Sequence, residues 1–206
     1  MTARLLTLGA AAGPFYILVG LLQTLIREGF DPRRHPLSVL ANGELGWIQV
    51  ANFLISGALV IAGAVGCRRA LALEPGGTWG PILLGLYGIG LVGSGIFVAD
   101  PAKGFPPGVE PSSQLSRSGV LHFVCGGIAF YSLIAACLVF TRRFVATGER
   151  AMAAYSLVTG IGFLVSFAAI VSGGTSASVM LAFYFAIAWA WVWLTVLVVR
   201  VRKSTP

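Results

Sequence analysis

Six long apolar runs divide the chain: Leu5–Ile26, Trp47–Gly66, Trp79–Ala99, Gly119–Phe140, Ala151–Ser172 and Val179–Val199. Each is about 20 residues long, the length of helix that crosses a ~30 Å hydrocarbon core. None contains Asp, Glu, Lys or Arg, so every formal charge falls between the runs or at the termini. Hydrocarbon offers no partner to a backbone N–H or C=O, so each run is predicted to be an α-helix bonding its own backbone. The first run is too long for the apolar region of a secretion signal and lacks a convincing small-residue cleavage site. It is expected to be retained. The predicted fold is all-α: one polytopic membrane domain over residues 1–206, with six transmembrane helices in three consecutive hairpins.

Composition agrees with this pattern. Of 206 residues, 57% are hydrophobic and 10% charged, against about 25% charged in soluble domains; mean hydropathy is +0.88. The net charge of +7 would raise nucleic acid as a partner in a soluble protein. Here the basic residues cluster between apolar runs, which points to topology and lipid headgroups instead. Nine of them (Arg4, Arg68, Arg69, Arg142, Arg143, Arg150, Arg200, Arg202, Lys203) fall on the side of the termini and five (Arg27, Arg33, Arg34, Lys103, Arg117) on the other. That bias predicts cytoplasmic termini in a cell membrane. The opposite side carries the two long connections, from Arg27 to Gly46 and from Asp100 to Ser118, with Glu28, Asp31, Glu44, Asp100 and Glu110 among them. Long connections in compact domains tend to be functional or disordered.

The first two hairpins share detail, Asp31-Pro32 with Asp100-Pro101 and Gly46-Trp47-Ile48-Gln49 with Gly119-Val120-Leu121-His122, which leaves a duplication open. Gly9 and Gly13, and the glycines of Gly85 to Gly95, suit close packing of membrane helices. Cys125 and Cys137 lie twelve residues apart on one predicted helix, roughly 18 Å and too far for a disulfide. Trp47 and Trp79 sit at span ends, where interfacial tryptophans belong. Trp189 and Trp193 share one face of the last helix and Trp191 points elsewhere.

Candidate chemistry gathers on the long-connection side. Gln49, Asn52 and Ser56 fall on one face of the second helix and are expected to face the bundle, since a polar stripe in lipid is costly. His122 lies about one turn into the fourth span, and Asp100 ends the third. His35 sits in Asp31-Pro32-Arg33-Arg34-His35-Pro36-Leu37-Ser38. These groups are expected to converge on an outward-facing polar pocket with Gln49, Asn52, Ser56 and Ser38 lining it. His35, Asp100 and His122 are candidates for an acid/base site or a metal site. The plainer alternative keeps His122 bonded to a neighbouring helix, His35 capping a loop and Asp100 capping the next turn. No HExxH, CxxC or GxSxG spacing is present. Arg33, Arg34 and Arg117 are candidates for anionic headgroup contact or for simple interfacial anchoring. The residues do not identify a cofactor.

The first connection, with Gly29-Phe30-Asp31 through His35-Pro36-Leu37-Ser38 to Gly46-Trp47-Ile48-Gln49 and Asn52-Phe53, resembles the prokaryotic membrane proteins catalogued as domain of unknown function 998. So do Gly93-Ser94-Gly95-Ile96-Phe97, Asp100-Pro101, Phe105-Pro106-Pro107-Gly108, Gly119 and His122. The resemblance runs through the fourth span at least. It implies a six-span membrane protein and supplies no established reaction. Three functions stay open: a protein binding a lipid, another membrane protein or a copy of itself; a membrane-embedded enzyme on a lipidic substrate; and, ranked last because no span carries a charge, a transporter.

Overall fold

The computed structural model describes residues 1–109 and 114–204; Glu110 lies outside these. Six helices are long and apolar enough to cross a membrane: α1 (Thr2–Ile26), α2 (Gly46–Ala70), α3 (Trp79–Ile96), α4 (Arg117–Ala146), α5 (Arg150–Val171) and α6 (Ala177–Lys203). Among the described residues the only β-type pairing is an isolated bridge between Ala102 and Phe105. Each helix packs against the next, and α6 returns to α1, closing a ring. Contacts run antiparallel at every seam. On α1 and α2, Gly9 meets Gly63 near one end and Gln23 meets Gln49 near the other. Both termini therefore lie at one face, with residues 71–78 and 147–149. Residues 27–45, 97–109 and 114–116 lie at the opposite face, the loop face.

Several helix ends depart from the apolar windows, most informatively those of α3 and α4. α3 stops at Ile96, three residues before Ala99, because the chain turns extended at Phe97 (φ −97°, ψ 101°). The carbonyls freed there are bonded from outside: His122 takes Ser94 and Phe97, Ser118 takes Val98, and Asn42 takes Ala99. α4 runs on to Ala146, past the apolar limit at Phe140, because Thr141, Arg142 and Arg143 continue a helix readily outside oil. Hydropathy marks the lipid-sized run, not the helix.

Pro14 sits inside α1 and cannot donate to the Ala10 carbonyl. In a membrane that acceptor must be met locally. The Thr195 hydroxyl of α6 meets it, at 3.3 Å. α6 comes this close because position 13 is glycine: a Cβ there would lie 2.6 Å from the Trp191 carbonyl oxygen. On the opposite face of α6, Trp189 and Trp193 donate to Thr159 and Ser156 of α5, at 3.1 and 3.0 Å. The three cysteines are free.

Candidate functional site

The loop face is closed by a cap made of the two long connections. A two-residue turn at Lys103-Gly104, both with positive φ (56° and 86°), pairs Ala102 with Phe105 and presents the Lys103 carbonyl. His35 Nε2 meets that carbonyl at 3.0 Å, while Nδ1 accepts the Asp31 backbone N–H at 2.9 Å. A carbonyl only accepts and an amide N–H only donates, so the His35 ring is neutral with its proton on Nε2. Its ring packs with Phe30 and Phe105. The Arg27 guanidinium lies 5.2 Å from the Phe105 ring centre and donates to the Leu40 and Asn42 carbonyls. Burial pulls the Arg27 pKa down from its usual value. Tyr184 of α6 donates to the His35 carbonyl at 2.7 Å, tying the cap to the ring. Replacing His35 with Phe keeps the ring packing and removes both polar bonds. Amide exchange at residues 30–45 and 101–108 is expected to quicken roughly tenfold, the worth of about one hydrogen bond, with the helices unchanged.

Asp100 is held elsewhere. Its carboxylate accepts from the Ser116 backbone N–H and hydroxyl, at 2.8 and 2.6 Å, and Ser116 in turn caps α4 through Gly119 N–H. A Cβ on Gly119 would lie 2.1 Å from Asp100 Oδ2, so this packing requires glycine. The negative charge sits at the positive end of α4. Asp100→Ala is expected to lower thermal stability by about 1–2 kcal/mol, as loss of a helix N-cap does. Asp100→Asn, which keeps an acceptor, is expected to lose about half of that.

His122 Nδ1 lies 2.8 Å from the Phe97 carbonyl oxygen and 3.1 Å from that of Ser94. His35, Asp100 and His122 are thus at one end of the molecule but engage three separate sets of partners, and the shared acid/base or metal centre expected from sequence is not assembled. Among the described residues no group of three or more His, Cys, Asp or Glu side chains is placed to hold a metal ion.

The polar stripe of α2 also takes a different place from the one expected. Gln49, Asn52 and Ser56 are fully buried between helices. Gln23 Nε2 donates to Gln49 Oε1 at 2.7 Å, and Asn52 Nδ2 donates to Gln49 Oε1 and to the Tyr16 carbonyl, each at 3.3 Å. Ser56 donates to Asn52 Oδ1 at 3.3 Å. This chain welds α2 to α1 instead of lining a pocket. Of the outer arginines, Arg33 pairs with Asp31 at 3.1 Å. The Arg33 backbone N–H first, and its side chain second, hold the Asp31 carboxyl below the usual carboxylate range. Arg34 and Arg117 are exposed at the loop face.

Beneath the cap lies a cavity of about 550 Å³. Its roof is Pro36, Leu37 and Ser38, and all six helices contribute to its wall. Tyr16, Phe53, Tyr87 and Trp191 form one side, with Trp191 stacked on Tyr16 at 4.6 Å. Phe130, Phe163, Phe167 and Phe183 form another, with ring centres 5.0–6.2 Å apart. His122 and Ser94 line the end near the cap. Ser38 is therefore the one expected lining residue found there, and the wall is aromatic where a polar one was expected. The exposed members of the lining, Phe123, Tyr131 and Val171, come from facing parts of α4 and α5. These two helices are joined at the opposite face and packed there, with Gly160 tight against Cys137. The exposed rim of the cavity is thus shared between α4 and α5.

Sequence reasoning missed Tyr16, Phe53, Tyr87, Ser94 and the phenylalanine wall. One signal was present: Gly126-Gly127, two helix-weakening residues in the middle of a span, beside the cavity mouth. Comparison with curated proteins and with solved structures returned no match. The model of the family described as "Protein of unknown function (DUF998)" matches residues 10–200. With nearly the whole ring inside that match, the chain belongs to the DUF998 family of membrane proteins.

Proposed function

We propose that this protein binds a lipidic molecule in the cavity beneath its cap, taking it from the bilayer through the gap between α4 and α5. The observation that carries the reading is an aromatic-walled space of about 550 Å³ whose exposed lining residues, Phe123, Tyr131 and Val171, belong to α4 and α5. That volume is within the ~300–1,000 Å³ range of small-molecule sites, which are also mostly apolar with a few placed polar groups. The excess of Lys and Arg at the terminal face supports an orientation with the cap outside the cell.

The enzymatic alternative needs a second reacting group beside His122. Asp100, the candidate for it, is already committed to the start of α4, so binding is the favoured reading.

Gly127 supplies the test. A Cβ there meets nothing within 4 Å, and the residue lines the cavity, so a larger side chain has room to grow into it. The wild-type protein, purified in mild detergent, is expected to carry a bound lipidic molecule in native mass spectrometry. Gly127→Trp is expected to fold, to melt no lower than wild type and to lose that mass. Equal retention by both proteins would remove the cavity from the account.

A further inference from the structure

The two nitrogens of His122 have different surroundings. Nδ1 faces two carbonyl oxygens, of Ser94 and Phe97, and carbonyls only accept. Nδ1 therefore carries the proton, and in the neutral ring Nε2 is left with a lone pair. Among the described residues Nε2 has no hydrogen-bond partner, while the ring is 7% exposed and lines the cavity between Phe53 and Phe123. An acceptor in an apolar wall costs free energy until a donor reaches it.

Two further observations narrow what that donor belongs to. No Lys, Arg, Asp or Glu lines the cavity, so a charged head would be buried without a counter-charge, which is strongly unfavourable. The volume is about 550 Å³; at ~30 Å³ per heavy atom, the share of one molecule in liquid water, it holds roughly 18 heavy atoms. That is room inside for one chain with a small head. We infer that the cavity takes a single-chain amphiphile with an uncharged hydroxyl head, which donates to His122 Nε2 while its chain lies along the Phe130, Phe163 and Phe167 wall. Ser38 in the roof and Ser94 beside the histidine stand at the same end and suit the hydroxyl's own lone pairs.

This inference rests on the cavity being the binding site proposed above, and the experiment separates the two. Full-length protein in nanodiscs of one phospholipid is loaded with tritiated hexadecanol, and displacement is measured with unlabelled hexadecanol, hexadecyl methyl ether and palmitate at neutral pH. Hexadecanol is expected to displace about tenfold better than the ether, the worth of one hydrogen bond to a buried acceptor. Palmitate is expected to displace worst. His122→Phe is expected to bind alcohol and ether equally. His122→Gln, which offers an amide N–H to the α3 carbonyls and an amide oxygen to the ligand, is expected to restore part of the preference. Gly127→Trp is expected to bind neither. Equal displacement by alcohol and ether in the wild type, or palmitate matching the alcohol, overturns the hydroxyl inference and leaves the cavity standing. Hexadecanol binding undiminished in Gly127→Trp overturns the cavity itself.

Discussion

Gly63→Val is expected to be among the most damaging single substitutions in a helix. A Cβ at position 63 would lie 2.8 Å from Gly9 Cα, and a Cβ at position 9 would lie 2.4 Å from Gly63 Cα. Backbone is the obstacle, so no side chain is free to swing aside. α1 and α2 must separate at this end of their seam, and the resulting tilt strains the Asn52 bond to the Tyr16 carbonyl, two turns further along α1. These groups have no water to fall back on. Overpacking costs about 1–3 kcal/mol in well-packed proteins, and the weakening of a buried hydrogen bond adds up to about 1 kcal/mol. The midpoint of thermal unfolding in detergent is expected to fall by roughly 10 °C. Gly162→Val is the control: nothing lies within 4 Å of a Cβ there, and its midpoint is expected to stay near that of wild type.

The second large effect is expected from Trp193→Ala. Trp193 is fully buried, packs on Phe140 with ring centres 6.1 Å apart, and donates to Ser156 Oγ at 3.0 Å. In a bilayer the unfolded reference is separated helices in lipid, so the usual transfer of apolar surface from water contributes little. What is lost is dispersion contact and one hydrogen bond, and a void is left behind. The cost is expected near 2–3 kcal/mol, at or just below the low end of the range for aromatic truncation in soluble cores. Trp193→Phe, which refills most of the void, is expected to lose less than half as much. Equilibrium unfolding by a denaturing detergent checks both. Because Trp193 lies on the α5 side of α6 and does not line the cavity, neither variant is expected to change ligand specificity.

The six spans were legible because charge exclusion from oil leaves an unmistakable mark in sequence: no Asp, Glu, Lys or Arg in any of the six runs. Helix ends were less so. α3 ends at Ile96 for a reason that sits elsewhere in the chain, namely donors from His122 and Ser118 of α4 and Asn42 of the first connection to its last carbonyls. His122 and Asp100 stood out as polar groups at membrane depth, but their partners did not. Whether a histidine meets an aspartate or a helix end depends on which helices are neighbours and how they are rotated. The polar stripe of Gln49, Asn52 and Ser56 was correctly read as facing the bundle, yet the same pattern serves a pocket or a weld, and Gln23 on α1 decides for the weld. The cavity wall was illegible for a related reason. In a membrane chain phenylalanine contacts lipid, fills a core or lines a cavity, and its letter is the same in all three places.

An apolar molecule is proposed to enter between α4 and α5 and to rest beneath the cap. Photolabelling in nanodiscs with a long-chain alcohol bearing a diazirine in its chain, followed by peptide mapping, tests this most directly. Label is expected to concentrate on the α4 segment around Phe123, Gly127 and Phe130 and the α5 segment around Phe163 and Phe167, and to disappear from both in Gly127→Trp. Label spread evenly over the outward surfaces of all six helices, unchanged in that variant, would contradict it.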